Sequence, residues 1–223
     1  MFLIANYMEL KKIELQELQM ILEEMEKIAV KLNAPVFELE RDSANDPFKI
    51  LVYTMLSSRT KDKTTIKVAK NLFLKFPNAR EIANAEVGEL EKILYGVGFY
   101  RTKAKNLKKL SLQVLEKEIP KTIEEMTKLS GVGRKTGNIV LARIYGNSTI
   151  GVDVHVHRIA NRIGWIKTKK PFESEVKLTK IIPEEYLSKI NRIFVAYGQV
   201  KCKAKNPECV SCPINKICKK IGV

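Results

Sequence analysis

Apolar residues recur at every third or fourth position through most of the chain, and no stretch alternates apolar and polar residues as a half-buried strand does. From about Met8 to Leu32 this spacing places the apolar side chains along one face of an amphipathic helix. Nine further segments show helical patterning between glycine and proline breaks, at about 47–57, 62–76, 86–95, 101–118, 122–129, 134–145, 154–164, 173–182 and 184–199. The pattern therefore predicts an all-α fold.

Two parts of this pattern repeat one another. The sequences LYGVGFYRTKAKNL and LSGVGRKTGNIVL both predict a helix, a Gly-Val-Gly turn, basic residues and a second helix, with glycine pairs 35 residues apart. A solenoid needs at least three copies, so the pair predicts one supersecondary unit used twice. The first copy carries Lys103 within a basic run, which is typical of a solvated helix face or of a phosphate-binding surface.

The second hairpin predicts a site for an anion. Gly131 and Gly133 permit positive φ and a close backbone approach, and the first N–H groups of the following helix have no partner within it. A phosphate fits such a helix start. A nucleotide-binding P-loop is not expected, because Arg134 separates Gly133 from Lys135, the first glycine of that motif is missing and a helix precedes the turn.

Lys135 has two interpretations on the residues alone. It lies in the first turn of its helix, where the positive end of the macrodipole disfavours the ammonium form. Only the neutral amine is a nucleophile, so this position suits Schiff-base chemistry. The other interpretation is a solvated lysine that touches phosphate, and the residue pattern leaves both open.

The segment IGVDVHVHRIANRIG supplies a carboxylate and the two histidines of the chain. Asp153 precedes a predicted helix, where it is either an N-cap or a carboxylate facing a pocket, and one Asp can do both. The i, i+2 spacing of His155 and His157 does not place both on one helix face, so a two-histidine metal site is not expected.

All four cysteines fall within 17 residues, with the spacing C-x6-C-x2-C-x5-C. In a chain without a secretory signal this clustering favours a metal site over a disulfide framework. The spacing matches neither the usual paired zinc knuckles nor the common ferredoxin motifs, so four thiolates leave zinc and a [4Fe–4S] cluster open. The predicted ligands are Cys202, Cys209, Cys212 and Cys218.

Charge narrows the class of partner. The formal net charge is +15, from 40 Lys and Arg against 25 Asp and Glu, which indicates a polyanion: nucleic acid first, an anionic membrane surface second. No apolar run approaches the roughly 18 residues of a membrane-spanning helix, and the apolar start lacks the features of a signal peptide. We expect a cytoplasmic, nucleoid-associated protein with no membrane partner.

Taken in order, these motifs resemble one family. The hairpin LSGVGRKTGNIVL, the segment VDVHVHR about twenty residues later and the four-cysteine loop closely resemble endonuclease III, an iron–sulfur DNA glycosylase with AP-lyase activity. The segments LSSRTKD at 56–62 and GVGFYRTKA at 96–104 resemble its DNA-facing loops, and the match runs from about residue 45 to 218. The hairpin alone is a widespread DNA-binding motif, whereas the combination is highly specific.

The resemblance implies a helix-hairpin-helix glycosylase fold of two helical domains with a cleft between them. One domain would be a six-helix barrel over 44–147, and the other would combine 1–43 with 148–223, including the cluster loop 202–218. By the same likeness the cysteines bind a non-catalytic [4Fe–4S] cluster. The partner implied is double-stranded DNA with damaged bases or abasic sites, bound by a monomer.

The resemblance also assigns roles to single residues. Lys135 would attack C1′ of a flipped nucleotide carrying a damaged base, expected to be an oxidised pyrimidine, and Asp153 would assist. A Schiff base and β-elimination at the abasic site would follow. The residues expected to contact DNA are Arg59, Phe99, Lys103, Gly131, Gly133 and Arg134, and His155 is expected in the pocket.

Two positions depart from the family pattern. Arg59 stands where the family often has a glutamine and Phe99 where an aliphatic wedge is common; both can still enter the base stack through a flat face. These departures leave the lesion preference open. The alternatives are a mismatch-specific glycosylase on the same scaffold, against which Lys135 argues, and a non-catalytic DNA-binding iron–sulfur sensor. A segment of about 18 N-terminal residues looks additional to the family pattern and has no predicted role.

Overall fold

The computed structural model describes residues 13–223, which form twelve α-helices and contain no β-strand. The helices are α1 Leu15–Lys31, α2 Pro35–Asp42, α3 Pro47–Ser57, α4 Asp62–Lys75, α5 Ala79–Asn84, α6 Val87–Ile93, α7 Tyr100–Glu116, α8 Ile123–Met126, α9 Arg134–Tyr145, α10 Val154–Ile163, α11 Pro171–Ile181 and α12 Glu184–Val200. The all-α prediction is confirmed. The part of the first predicted helix before residue 13 lies outside the described residues. None of the helices in 13–223 has the length and apolar character needed to cross a membrane.

Two short helices, α2 and α5, were not predicted. The first buries only Leu39, and the second buries Ile82 and Ala83, so neither repeats an apolar spacing over enough turns to be recognised. Their starts do carry local signals, since Pro35 occupies the first turn of α2 and Asn78 accepts the N–H of Glu81 at the start of α5.

One hydrophobic core is built around α3. This helix buries seven successive residues, 50–56, as expected of a helix enclosed on all sides. It contacts α4 and α9, while α5 packs against α7. The helices α3 to α9 and the segments that join them supply all of this core except Leu39, and α8 is a single turn of four residues.

A second core combines the two ends of the described chain. The apolar face of α1 packs with α10, α11 and α12 around the fully buried Phe194 and Tyr197. The predicted division into 44–147 and 1–43 plus 148–223 falls between the two cores, with Leu39 of the first core as the exception. These domain boundaries stay a prediction.

The extended segment between α9 and α10 is fixed on both sides. Asn138 of α9 donates its amide to the carbonyl of Ile150 (3.1 Å), and Asn191 of α12 donates to the carbonyl of Gly151 (2.6 Å). A Cβ at Gly151 would overlap Ile139, so the close packing requires glycine. The start of α10 is thereby held at a defined place beside the start of α9, which positions the candidate site.

Candidate active site and nucleic-acid interface

A cavity of about 1030 Å³ is lined by residues from helices of both cores. Of the residues predicted for the site, it brings together Arg59, Gly133, Lys135, Asp153 and His155. Phe99, Lys103, Gly131, Arg134 and the four cysteines do not line it. The cavity therefore combines the predicted nucleophile and the predicted carboxylate, as the sequence interpretation requires.

Asp153 is both a helix cap and part of the cavity wall. Its Oδ1 accepts the N–H groups of His155 (2.8 Å) and Val156 (2.9 Å) at the start of α10. Its Oδ2 makes no hydrogen bond within the described part of the chain. The two interpretations of Asp153 thus coexist, because one oxygen caps the helix and leaves the other for a positive charge in the cavity.

His155 is held in one orientation by its neighbours. Its Nδ1 lies 3.1 Å from Nη2 of Arg158, and a guanidinium only donates, so Nδ1 accepts and the neutral ring carries its proton on Nε2. Burial lowers the pKa of His155, and the nearby charge of Asp153 opposes that effect. The imidazole is therefore a neutral hydrogen-bond donor in the cavity wall near neutral pH.

Asp62 is a site residue that sequence reasoning missed. It opens α4, lines the cavity and accepts a hydrogen bond from Nε2 of Gln199 (2.6 Å). Burial raises the pKa of this carboxyl group, while the Gln199 hydrogen bond and the charges of His155 and Lys135 lower it. In the sequence, Asp62 is the last residue of the segment LSSRTKD, which drew attention as a loop expected to face DNA. Nothing in that segment, however, shows that the side chain of Asp62 faces Lys135.

The two glycines of the hairpin before α9 differ in backbone conformation. Gly131 has φ of 80°, and its Cβ position lies about 3 Å from Asn106 and Met55, so both its conformation and its packing require glycine. Gly133 has φ of −92°, which any residue adopts, so its backbone does not use the positive φ that glycine permits. Within residues 13–223, no atom outside its chain neighbours lies within 4 Å of the Cβ position of Gly133, and no side chain caps α9. The start of α9 is consequently open to an anion.

Arg134 faces α11 in the free protein. Its Nε donates to Oε1 of Glu175 (2.7 Å), and its guanidinium lies over the ring of Phe172. Glu175 is 8% exposed and also accepts from the amide of Asn138, so it ties α9 to α11. The terminal nitrogens of Arg134 make no hydrogen bond among residues 13–223, and its predicted DNA contact stays a prediction.

The two loops expected to face DNA are locked together. Arg59 and Phe99 both adopt left-handed backbone conformations, with φ of 53° and 59°, and the guanidinium of Arg59 lies over the ring of Phe99. A Cβ at Gly98 would overlap the carbonyl oxygen of Arg59, and the N–H of Gly98 donates to Oγ1 of Thr60 (3.1 Å). The two exposed side chains therefore form one stacked pair.

The structure corrects the predicted DNA contact of Lys103. This side chain is only 6% exposed, and its Nζ donates to the carbonyl oxygens of Leu56 (2.8 Å) and Ser58 (2.5 Å). The last carbonyl groups of α3 have no partner within the helix, and an inward-facing ammonium satisfies them. Burial, followed by the charge of Lys135, lowers the pKa of Lys103 to about 8.

The four predicted ligands line one small apolar cavity between α10, α12 and the C-terminal loop. None forms a disulfide. Tyr197 and Arg162 direct polar atoms to two sulfurs, at 2.9 Å from Cys212 and 3.4 Å from Cys202. Within residues 13–223 no group of three or more His, Cys, Asp or Glu side chains is already arranged to hold a metal ion. The donor set and its hydrogen bonds nevertheless suit negatively charged sulfur.

Sequence comparison relates the chain to known repair proteins. A sequence model of the HhH-GPD superfamily of base excision DNA repair proteins matches residues 52–184. The chain is 42% identical to endonuclease III of Thermotoga maritima over 176 residues, which cover 78% of this chain and 83% of that protein.

The fold is similar to two solved structures of endonuclease III with DNA. A non-covalent complex gives a TM-score of 0.80 at 33% identity and covers 93% of this chain and 96% of the other. A trapped covalent intermediate, an estranged-adenine complex, gives 0.78 at 33% identity and covers 93% and 97%. This protein is accordingly a member of the endonuclease III family of HhH-GPD base excision DNA repair proteins and has their helical glycosylase fold.

Proposed function

We propose that this protein removes damaged bases from duplex DNA and cuts the resulting abasic site by β-elimination through a lysine Schiff base. The observation that carries the proposal is the shared cavity. Among the described residues, no side chain caps the helix whose first turn holds Lys135, and one carboxylate oxygen of Asp153 has no hydrogen-bond partner. A neutral amine and an adjacent carboxylate are what glycosidic-bond cleavage by an amine requires.

The reaction follows from these two side chains. The amine of Lys135 forms a bond to C1′ as the C1′–N bond to the base breaks, and the base leaves with the bonding electron pair and gains a proton. Asp153 stabilises the positive charge that develops on the sugar and accepts a proton from the amine. The C1′–O4′ bond of the sugar then breaks, O4′ takes the proton that Asp153 accepted, and the nitrogen lone pair forms the C1′=N iminium. Loss of a C2′ proton from this iminium to solvent then expels the 3′ phosphate, which cuts the strand.

Recognition of the base would use two other residues that line the cavity. His155 offers Nε2–H as a donor, and Asp62 offers a carboxyl group whose pKa is raised mainly by burial. An oxidised pyrimidine carries carbonyl and N–H groups on its edge that match a donor and a carboxyl group. We therefore assign oxidised pyrimidines as the substrate class, in keeping with the resemblance of the motifs.

The DNA backbone would be held without sequence readout. The open start of α9 offers backbone N–H groups to a phosphate, and the net charge of +15 favours a polyanion. The stacked pair of Arg59 and Phe99 would occupy the space left in the duplex by the flipped nucleotide. Binding of this kind agrees with a nucleoid-associated protein in the cytoplasm.

We assign a [4Fe–4S] cluster to Cys202, Cys209, Cys212 and Cys218, because all four line one cavity and polar atoms of Arg162 and Tyr197 lie within hydrogen-bond distance of two of the sulfurs. When bound, the cluster supplies a negatively charged cross-link and takes no part in bond cleavage. The chain contributes a basic surface around it, although Lys201 and Lys203 also pair with Glu208. The loop 202–218 would then be ordered for contact with DNA.

A borohydride trapping experiment tests the proposal. The wild-type protein, mixed with an abasic-site duplex and borohydride, should give a covalent adduct whose peptide map locates the sugar on Lys135. Lys135→Ala should give none, and Lys128→Ala, a change on the preceding turn, should leave the yield unchanged. A wild-type protein that binds the duplex but neither forms an adduct nor cuts it would favour the non-catalytic sensor. Base release without an adduct or strand cut would favour a mismatch-type glycosylase.

A further inference from the structure

Lys103 is a buried lysine with no carboxylate partner among the described residues. Burying an ammonium group is unfavourable unless its hydrogens are satisfied. Three acceptors surround Nζ, matching its three donors: the carbonyl oxygens of Leu56 and Ser58 and, at 3.4 Å, Oγ1 of Thr60. The function of this ammonium group therefore depends on the loop to which these acceptors belong.

The acceptors enclose the first DNA-facing loop. Ser58 and Thr60 flank Arg59 on its two sides, and Leu56 lies in the last turn of α3. Arg59 has φ of 53°, a conformation that is unfavourable for a residue with a side chain and persists only where its surroundings impose it. Because one ammonium group binds the residues on both sides of Arg59, it holds Arg59 in this backbone conformation.

The same lysine also holds the second loop. Its backbone N–H donates to the carbonyl oxygen of Phe99 (3.0 Å), because Lys103 lies one turn into α7, the helix that Phe99 precedes. Thr60, which Nζ approaches, accepts the N–H of Gly98 as well. The main chain of Lys103 is thus bonded to one loop and its side chain to the other.

We propose that Lys103 is a positioning residue that fixes Arg59 and Phe99 as a preformed stacked pair, ready to enter the duplex when a nucleotide flips out. The proposal rests on the proposed function, since it concerns the insertion step of that reaction. A pair held in its bound conformation loses less conformational entropy on insertion than two mobile loops would. Insertion is consequently faster and the flipped state more populated.

The first experiment uses the free protein, without DNA or catalysis. Trypsin cleaves after Arg59 and Lys61 only when their loop opens, so cleavage at these two bonds, followed by mass spectrometry, measures the loop directly. Lys103→Met should speed it by about tenfold or more, because hydrogen bonds from a charged group are lost. Lys103→Arg should restore most of the protection. Lys108→Met is the matched control, since that side chain lies on the same helix and donates to the carbonyl of Ala85.

The second experiment follows insertion. The duplex carries a tetrahydrofuran abasic analogue, which cannot be cleaved by β-elimination, opposite 2-aminopurine, whose fluorescence rises when its stacking is disturbed. Lys103→Met should slow the stopped-flow rise by about tenfold, while Lys108→Met matches wild type. Single-turnover cleavage of an abasic site should fall in parallel for Lys103→Met.

The outcomes separate this proposal from a purely structural role. If Lys103→Met lowers the melting temperature but leaves both trypsin protection and the fluorescence rise at wild-type values, the positioning role is wrong. Equal effects of Lys103→Met and Lys108→Met would also overturn it. Should Lys103→Met fail to fold, Thr60→Val removes only the hydroxyl shared by Lys103 and Gly98, and must show faster trypsin cleavage and slower insertion. A wild-type protein that inserts but cuts no abasic site would contradict the proposed function and leave this inference standing.

Discussion

Gly198 of α12 lies so close to His155 of α10 that a Cβ at position 198 would overlap the ring nitrogen Nδ1. The absence of a side chain on one helix therefore allows the imidazole of the other to reach the cavity wall. Since Nδ1 is also fixed by Arg158, the ring has little freedom to adjust to an added methyl group.

Gly198→Ala should therefore displace His155 and slow base removal more than strand cutting. We expect excision of an oxidised pyrimidine to fall by about tenfold or more, as for the loss of a hydrogen bond to the base, while cleavage of a preformed abasic site changes less. Single-turnover rates on the two duplexes give the comparison. Gly88→Ala is the control, because no neighbouring atom of the described part of the chain lies within 4 Å of its Cβ position. Equal slowing of both reactions by Gly198→Ala would argue against contact between His155 and the base.

Asp153→Asn should separate capping from chemistry. An Asn oxygen can still accept the N–H groups of His155 and Val156, so stability should stay within roughly 0.5 kcal/mol of wild type. The charge is lost, and base excision should slow by about 10² to 10⁴. Chemical denaturation and single-turnover excision measure the two effects. A stability loss with normal excision would show that Asp153 serves only as a cap.

The sequence predicted those parts of the site that lie within one motif. Lys135 follows its hairpin directly and Asp153 directly precedes its helix, so their positions at these two helix starts are local properties of the chain. The long helices could also be predicted from the sequence, because an apolar spacing that repeats over several turns is unambiguous. The short helices α2 and α5 bury one and two residues and left no such signal.

What the sequence could not predict depends on contacts between distant residues. Asp62 enters the site with a hydrogen bond from Gln199, 137 residues later, and nothing near either residue indicates the pair. Lys103 looked like one more cation in a basic run, yet its ammonium group bonds the carbonyl of Leu56, 47 residues earlier. In both cases the direction of a side chain, and hence its role, is set by tertiary packing.

The lowered pKa of Lys103 predicts a pH dependence of stability. Burial and then the positive charge of Lys135 bring this pKa from 10.5 to about 8. Between about pH 8 and 10.5 the unfolded chain keeps the Lys103 proton and the folded protein has released it, so this residue makes the free energy of unfolding rise with pH. Urea unfolding of wild type and Lys103→Met at pH 7.5 and pH 10 should show a larger rise, or a smaller fall, for wild type. Parallel pH profiles would contradict the lowered pKa.

The cysteine loop predicts a defined metal content. Purified without oxygen, the protein should be yellow-brown and contain about four irons per chain. Cys212→Ser should lose the colour and most of the iron, and its melting temperature should fall because the loop 202–218 loses its cross-link. Iron and zinc analysis of both proteins makes the measurement. One zinc per chain and no iron in the wild type would contradict the cluster assignment.

Arg134 offers a test of how the hairpin meets DNA. Its Nε is held by Glu175, which leaves the terminal nitrogens directed away from that bond and available to a phosphate. If they contact one phosphate, Arg134→Met should weaken binding to all duplexes alike and reduce the slope of log K against log salt by about one. Arg80→Met, at an exposed arginine of α5 outside the cavity wall, should leave the slope unchanged.

Glu175 decides between this contact and a structural role for Arg134. Glu175→Gln keeps an oxygen for Asn138 and removes the charge that holds Arg134, so stability should fall by about 1–2 kcal/mol. The salt slope should stay at the wild-type value, because the freed guanidinium still reaches the phosphate. If Arg134→Met and Glu175→Gln lower stability equally and neither changes the slope, Arg134 only joins α9 to α11, and the phosphate contacts of the hairpin come from its backbone alone.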